Sequence, residues 1–391
     1  MGKSQYGSER SPPVRRIAVC PNGPIARRQN ARFLPWLISA AALLAMALLG
    51  RVLLGQPSLV TRFWYAVNES GNIGSISVYD MDNGHTLVKT IQTVSGISDP
   101  RGVVANATTG KLYVTYSPGH VFCLDLKTDK VLWDQGYSPN VDRLAISPDG
   151  STLYIPTNEN TADANYISIV NAADGSLVRT VTVDYRTHDA QYPLSGPLFQ
   201  ECKASTCNYL YMIDPRSYNV TKFGPFRGIL APYVVNSDSS YVAVTEVDWW
   251  GIQIGNLKTG KIYTAVPPNA PAEGESHGIG MRPDEQEVWQ SGPNPDPHEY
   301  VWNISDPRNP KLTHTLSLPS TTHWMTFSIA GDYAYIAPGK LSSVPTQVYN
   351  TATYKVAATI GASEDMLEVD IDTFNREVTA VGDQYGIGRR R

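Results

Sequence analysis

Three histidines and a set of charged residues recur at matching offsets. With Ser147, Arg282 and Ser328 taken as equivalent, the position five residues earlier holds Asp142, His277 and His323. Arg101 falls at that position or one residue away, His188 heads a weaker copy, and Glu364 and Asp365 precede the last one. Arg143 and Trp324 directly follow Asp142 and His323. Imidazoles beside carboxylates suit a divalent metal such as Zn, Cu or Fe, here on His188, His277 and His323 with Asp142 or Glu364 assisting. Without a metal, the same residues make an acid–base pocket. A histidine titrating near neutrality moves a proton, and Arg101 or Arg143 binds a carboxylate or stabilises an enolate. Lactone opening, elimination and isomerisation all use that chemistry. In a third reading, these groups satisfy one another and water at a solvated mouth. Glu246, Asp248, Trp249 and Trp250 form a further group after an apolar run. The paired indoles could stack on a sugar or aromatic ligand, or staple neighbouring elements.

Convergence of residues spread over 260 positions requires a repeat. Aromatic and β-branched runs centre on Tyr65, Tyr113, Tyr154, Val242, Val288, Tyr335 and Thr379, at spacings of 48, 41, 88, 46, 47 and 44. The double interval of 88 holds one weak copy. A period near 44 with period-2 alternation inside each unit predicts a four-stranded propeller blade. The grammar is clearest from Arg143 to Thr182: a small-apolar strand, Pro148-Asp149-Gly150, Leu153-Tyr154-Ile155, Ile167–Asn171, an Asp174-Gly175 turn, and Leu177–Thr182. Asp and Gly tolerate φ > 0, so these dipeptides are turn signals with a mechanism. Composition agrees: 31 Gly, 28 Pro and 22 Tyr with 17% charged residues describe a strand-and-turn protein. The last copy stops near Gly382 and the first lacks a leading strand, so the two ends are expected to share one blade. The expected fold is all-β, a seven-bladed β-propeller of four-stranded blades, with eight blades as the alternative.

The chain resembles the YVTN-type seven-bladed propellers, related to YncE-like proteins and to the amine-dehydrogenase and cytochrome-cd1 haem-domain propellers. Ser147–Ile155, Ser276–Asp284 with Val288-Trp289, and His323–Ser328 carry the likeness, which spans about 62–388. Ser363–Asp370 and Gly382–Gly388 look like the tail of one branch. The resemblance implies the fold and, from its members, either a binding protein or an enzyme of lactonase-like type. It implies no haem or quinone, because no c-type haem motif is present. In such a ring the first strand of each blade lines the channel, so Arg101, Asp142, Arg143, His188, His277, His323 and Glu364 should meet at one mouth. The stretch 188–224 departs from the pattern, its turn replaced by a loop holding Cys202 and Cys207.

Charge and hydropathy set the expected compartment. Residues 1–60 hold eight basic residues and one acid. Subtracting these from 32 and 36 leaves 24 basic and 35 acidic residues beyond, a net of −11 that argues against nucleic acid as a partner. Phe33 to Gly50 is uncharged, and the apolar run resumes after Arg51 to Leu54. We therefore expect a basic, disordered cytosolic tail (1–32), a transmembrane signal-anchor (33–54), a linker (55–61) and an extracytoplasmic propeller (62–388), single-pass type II. A cleaved signal at Ala45-Met46-Ala47 is the alternative. Cys202 and Cys207 are close enough in sequence for a small disulfide, and Cys123 reads as a buried thiol. Glycosylation sequons occur at Asn68, Asn106, Asn219 and Asn303. The expected function is small-molecule binding at the channel mouth, with catalysis on His277, His323, Glu364 and Arg101 and ligand contacts from Asp142, Arg143, His188, Trp324, Glu246 and Trp249. A non-catalytic, protein-binding platform is the rival.

Overall fold

The computed structural model describes residues 59–157, 164–268, 274–339 and 342–385. The expected membrane span (33–54) and the basic tail lie outside them. No helix among the described residues is long and apolar enough to cross a membrane.

Seven antiparallel sheets are present, six of four strands and one of five. Blade 2 runs through strands Asp99–Asn106, Lys111–Ser117, His120–Asp125 and Lys130–Gly136, in sequence order from the axis outward. Blades 3 to 7 repeat this order, and their first strands are Ala145–Ile146, Arg186–Gln191, Leu230–Val235, Ile279–Met281 and Thr322–Phe327. Burial follows the radius. Second strands such as Leu198–Lys203 are almost wholly enclosed, whereas outer strands such as Leu177–Thr182 and Lys311–Ser317 are largely exposed. Each blade thus covers both faces of its inner strands with its neighbours, the only way a two-sided apolar sheet leaves water.

Blade 1 closes the ring. Met366–Asp372 pairs antiparallel with Val60–Val67 and serves as the inner strand for Val60–Val67, Ile76–Asp80 and Thr86–Ile91. Arg62 locks the seam. Its Nε donates to Glu368 at 2.8 Å, and Nη1 and Nη2 donate to Asp332 of blade 7 at 2.9 and 2.7 Å. Trp64 stacks on Tyr335 of blade 7, with centroids 3.3 Å apart.

Two expectations need correction. The run Glu377–Val381 is not a second strand of the closing blade; it is a fifth strand on the axial side of Met366–Asp372. From it the chain continues into the axis. Gln384 Oε1 accepts from Val103 N at 3.0 Å, its Nε2 donates to Leu144 O at 3.4 Å, and its carbonyl accepts from Trp324 Nε1 at 3.0 Å. Three blades are therefore tied to one fully buried side chain and its backbone. In blade 4 the disulfide loop joins the second strand (Leu198–Lys203) to the third (Leu210–Ile213); it does not replace the first turn. Cys202 and Cys207 are bonded, and Cys123 is a buried free thiol.

Asn106 is also corrected. It is buried and donates from Nδ2 to Pro148 O at 3.1 Å, so it is an interblade tie and no glycan acceptor in the folded chain. Asn219 is exposed, and Asn68 and Asn303 are half-buried.

Replacing Gln384 by Ala strands the buried Val103 N–H. The expected loss is about 1–3 kcal/mol, read as a lower midpoint in urea with an unchanged slope.

Candidate functional site

The inner strands do not run straight into the mouth. Their pairing with the second strands is interrupted at Arg101 in blade 2, at His188 and Asp189 in blade 4, at Ala231 and Pro232 in blade 5, and at His323 in blade 7. A bulge leaves a residue outside the ladder and re-aims its side chain. In blades 2, 4 and 7 that residue carries a charge or an imidazole. Asp142 and Arg143 occupy the corresponding place just before the short strand of blade 3, and His277 just before that of blade 6. Close approach needs glycine twice. A Cβ on Gly102 would lie 2.8 Å from Arg143 Cα, and one on Gly278 would lie 3.1 Å from His323 O.

Two linked charge networks result. In the first, Arg101 Nη2 donates to Asp142 Oδ2 at 2.9 Å, and His188 Nδ1 stands 2.8 Å from the same oxygen. In the second, Arg143 Nη2 donates to Glu364 Oε2 at 2.9 Å, and His323 Nδ1 lies 2.6 Å from Glu364 Oε1. Arg143 also lies 3.9 Å over the Trp324 ring, a cation–π contact with the strongest aromatic acceptor. The His277 and His323 rings stack at 3.5 Å and 19°, and His188 meets His277 edge-on at 6.2 Å. The side chains of Arg101, Asp142, Arg143, His188 and Glu364 are all nearly inaccessible, while His323 keeps 27% of its side chain exposed. His323 is thus the partly exposed member of this axial cluster, His277 is half-buried against it, and the charged groups beside them are buried. The C-terminal segment packs against this cluster, with Tyr385 buried beside Trp324.

Environment divides the protonation states. Burial works to raise Asp142, yet His188 and Arg101 hold its carboxyl well below the usual range. Burial pushes Asp189 upward, opposed by His188 and Arg143. Burial, then the neighbouring His323, pushes His277 well below its ordinary value, so its imidazole is neutral.

The three histidines do not make a common ligand cage, since two of them are stacked face to face. The metal-type donors that converge among the described residues are His188, Asp189 and Glu201, within 4.8 Å of one another. Asp189, Glu201 and the nearby Lys203 were not singled out in the sequence. All three lie in the blade whose pattern is weakest, and the sequence signal available was the charged Glu201 and Lys203 flanking Cys202 inside a second strand. Glu246 and Trp249 lie elsewhere in blade 5. Glu246 is buried beside Gly228, Arg227 and Asp248, and Trp249 packs under the Arg227 guanidinium at 4.6 Å. Trp250 meets Tyr300 of blade 6 edge-on at 4.6 Å and joins the two blades. Trp324 is fully buried, held from several sides by protein groups.

No protein-family model matches the chain, and no curated protein matches its sequence. Among solved structures, the Myceliophteria thermophila Cps50 (Swd1) β-propeller domain is similar at a TM-score of 0.57 and 13% identity, covering 73% of this chain and 96% of that one. Dihydro-heme d1 dehydrogenase NirN in complex with DHE is similar at a TM-score of 0.56 and 14% identity, covering 82% and 73%. The protein is a seven-bladed β-propeller. At these identities the likeness extends to the fold alone.

Two substitutions test the electrostatics. D142N removes the buried anion against Arg101, leaving Asp99 at 3.6 Å as a more distant counter-charge, which costs about 3 kcal/mol near neutrality. Because the folded-state pKa is lowered, that deficit relative to wild type is full above about pH 4 and shrinks as pH falls below it. Glu246 has the opposite sign. Burial, with Asp248 adding, lifts its carboxyl to about 7. Wild-type stability therefore falls between the unfolded-state value of about 4.3 and neutrality, whereas E246Q escapes that loss. Urea unfolding of both variants across about pH 3 to 8 reads the two slopes.

Proposed function

We propose that the protein is a membrane-anchored, extracytoplasmic propeller that binds a small molecule in the axial vestibule and acts on it by general acid–base chemistry. The observation that carries this reading is the His323–Glu364 pair at 2.6 Å, half-open to solvent above a buried counter-charge network. Glu364 Oε1 stands against Nδ1 as a charge contact outside hydrogen-bond geometry, and Nε2 is the ring nitrogen that would take a proton from a substrate as general base. Arg143 fixes the far oxygen of Glu364 and so fixes the direction of the dyad. The neutral His277 ring, stacked on the base, supplies a polar wall without a competing positive charge.

The arginines take a different part from the one their residue type suggests. Arg101 and Arg143 are buried and engaged with Asp142 and Glu364, so they orient the protein's own acids and leave substrate binding to the histidines and the vestibule rim. Hydrolysis of a lactone, elimination and isomerisation each need one proton moved by a base, which this pair can do. The basic, apolar N-terminal sequence and the acidic body support the anchor and its orientation.

A second reading rests on the outer strands, where Leu87, Val88, Leu132, Leu177 and Val178 are exposed on blades 1 to 3. Such an apolar rim suits a protein partner.

The test is turnover of a panel of lactones and 2-hydroxy carboxylates by the full chain in detergent. H323Q is expected to lose about 10²–10⁴-fold in kcat. E364Q should lower kcat. A panel member turned over equally by wild type and H323Q removes the dyad from the chemistry. Absence of turnover across the panel, with a bound protein partner retained by H323Q, establishes the second reading.

A further inference from the structure

Beneath the vestibule, blade 4 brings a histidine and two carboxyls together in a fully buried place. Asp189 is the telling group. It is fully buried, neither of its carboxylate oxygens accepts a hydrogen bond, and its nearest cationic partner is His188 Nε2 at 3.6 Å from Oδ1, beyond hydrogen-bond reach. A carboxyl in that condition is costly, because burial strips its water without replacing it. The surroundings are rich in acid: Asp142, Glu364 and Asp365 are buried nearby, against Arg101, Arg143 and Lys203.

We propose that His188 Nε2, Asp189 and Glu201 bind a divalent first-row transition-metal ion at the base of the vestibule. The donor atoms lie within 4.8 Å of one another, so movements of about 1 Å or less per side chain bring them to the roughly 2.0–2.2 Å that Zn²⁺ takes with N and O ligands. One imidazole with two carboxylates suits Zn²⁺ or Mn²⁺, and three protein ligands leave a coordination position open.

The outer shell is already in place. Asp142 stands at His188 Nδ1, 2.8 Å away, and is itself held by Arg101. A carboxylate at one ring nitrogen fixes the tautomer that presents the other to a metal. Lys203, 3.3 Å from Glu201 Oε1, orients that carboxylate from its outer side. His188 and Asp189 enter together because the bulge in the inner strand of blade 4 removes both from the ladder. This site is independent of the His323–Glu364 dyad.

The experiment uses the untagged full chain in detergent, stripped with EDTA and titrated with ZnCl₂ and, separately, MnCl₂. Metal content by mass spectrometry and the thermal midpoint are read together. Wild type is expected to retain about one ion per chain and to melt higher with metal. D189N and H188Q should lose retention and the thermal shift. D142N should weaken affinity about 10–100-fold, as loss of an outer-shell carboxylate does. H277A/H323A should keep the ion, which separates this site from the vestibule histidines. E201Q gives the same reading as D189N should the latter not fold. Retention of neither metal by wild type, equal binding by D189N or E201Q, or loss of the ion in a folded H277A/H323A variant overturns the proposal.

Discussion

Everything at the axis depends on how the ring closes. A propeller whose first blade lacks an inner strand has an open edge, and an open sheet edge is both unstable and adhesive. Here Met366–Asp372 supplies that strand to Val60–Val67, and Arg62 and Trp64 fasten the seam to blade 7. Glu364, two residues before the closing strand, is brought to the mouth by that pairing. Its oxygens receive Arg143 and His323, so the closure that completes the sheet also completes the dyad.

Closure also explains why so much charge can be buried. Arg101, Arg143, Asp142 and Glu364 would each be expensive in isolation, and breaking one partnership leaves the other ion stranded. A bulge at Arg101 and the segments just before the inner strands of blades 3 and 1 aim these side chains at one another. The C-terminal segment bonds through Gln384 to the backbone of blades 2 and 3 and to Trp324 of blade 7. Buried charges therefore stand beside a partly exposed imidazole, and burial strengthens the electrostatic interactions between them.

The repeat was legible because each blade buries the same alternation between similar turns, so Tyr113, Tyr154 and Tyr335 mark equivalent second strands. The offset that aligned Asp142, His277 and His323 also reflects a physical repeat: all three precede or enter an inner strand at the same end. Blade 4 was obscure for a reason that also makes it interesting. Its second strand carries the buried Gln200 and Glu201 and only two apolar residues before them, so hydropathy fades where polar groups collect. The fifth strand was missed because Glu377–Val381 alternates like any second strand; only pairing on the far side of Met366–Asp372 reveals its place. Trp249 and Trp250 show the limit of reading aromatics as ligand platforms, since one packs under Arg227 and the other joins two blades.

The axial position of Gln384 carries a consequence for biosynthesis. A ribosome makes the outer three strands of blade 1 first and their inner strand, with the plug behind it, last. Blades 2 to 7 can form as they emerge, but the nascent chain holds no complete axial charge cluster, because Glu364 has yet to be made. The axial charge cluster thus comes into being only after translation has passed Glu364, and an unfinished chain carries an unpaired strand that chaperones must shield until then.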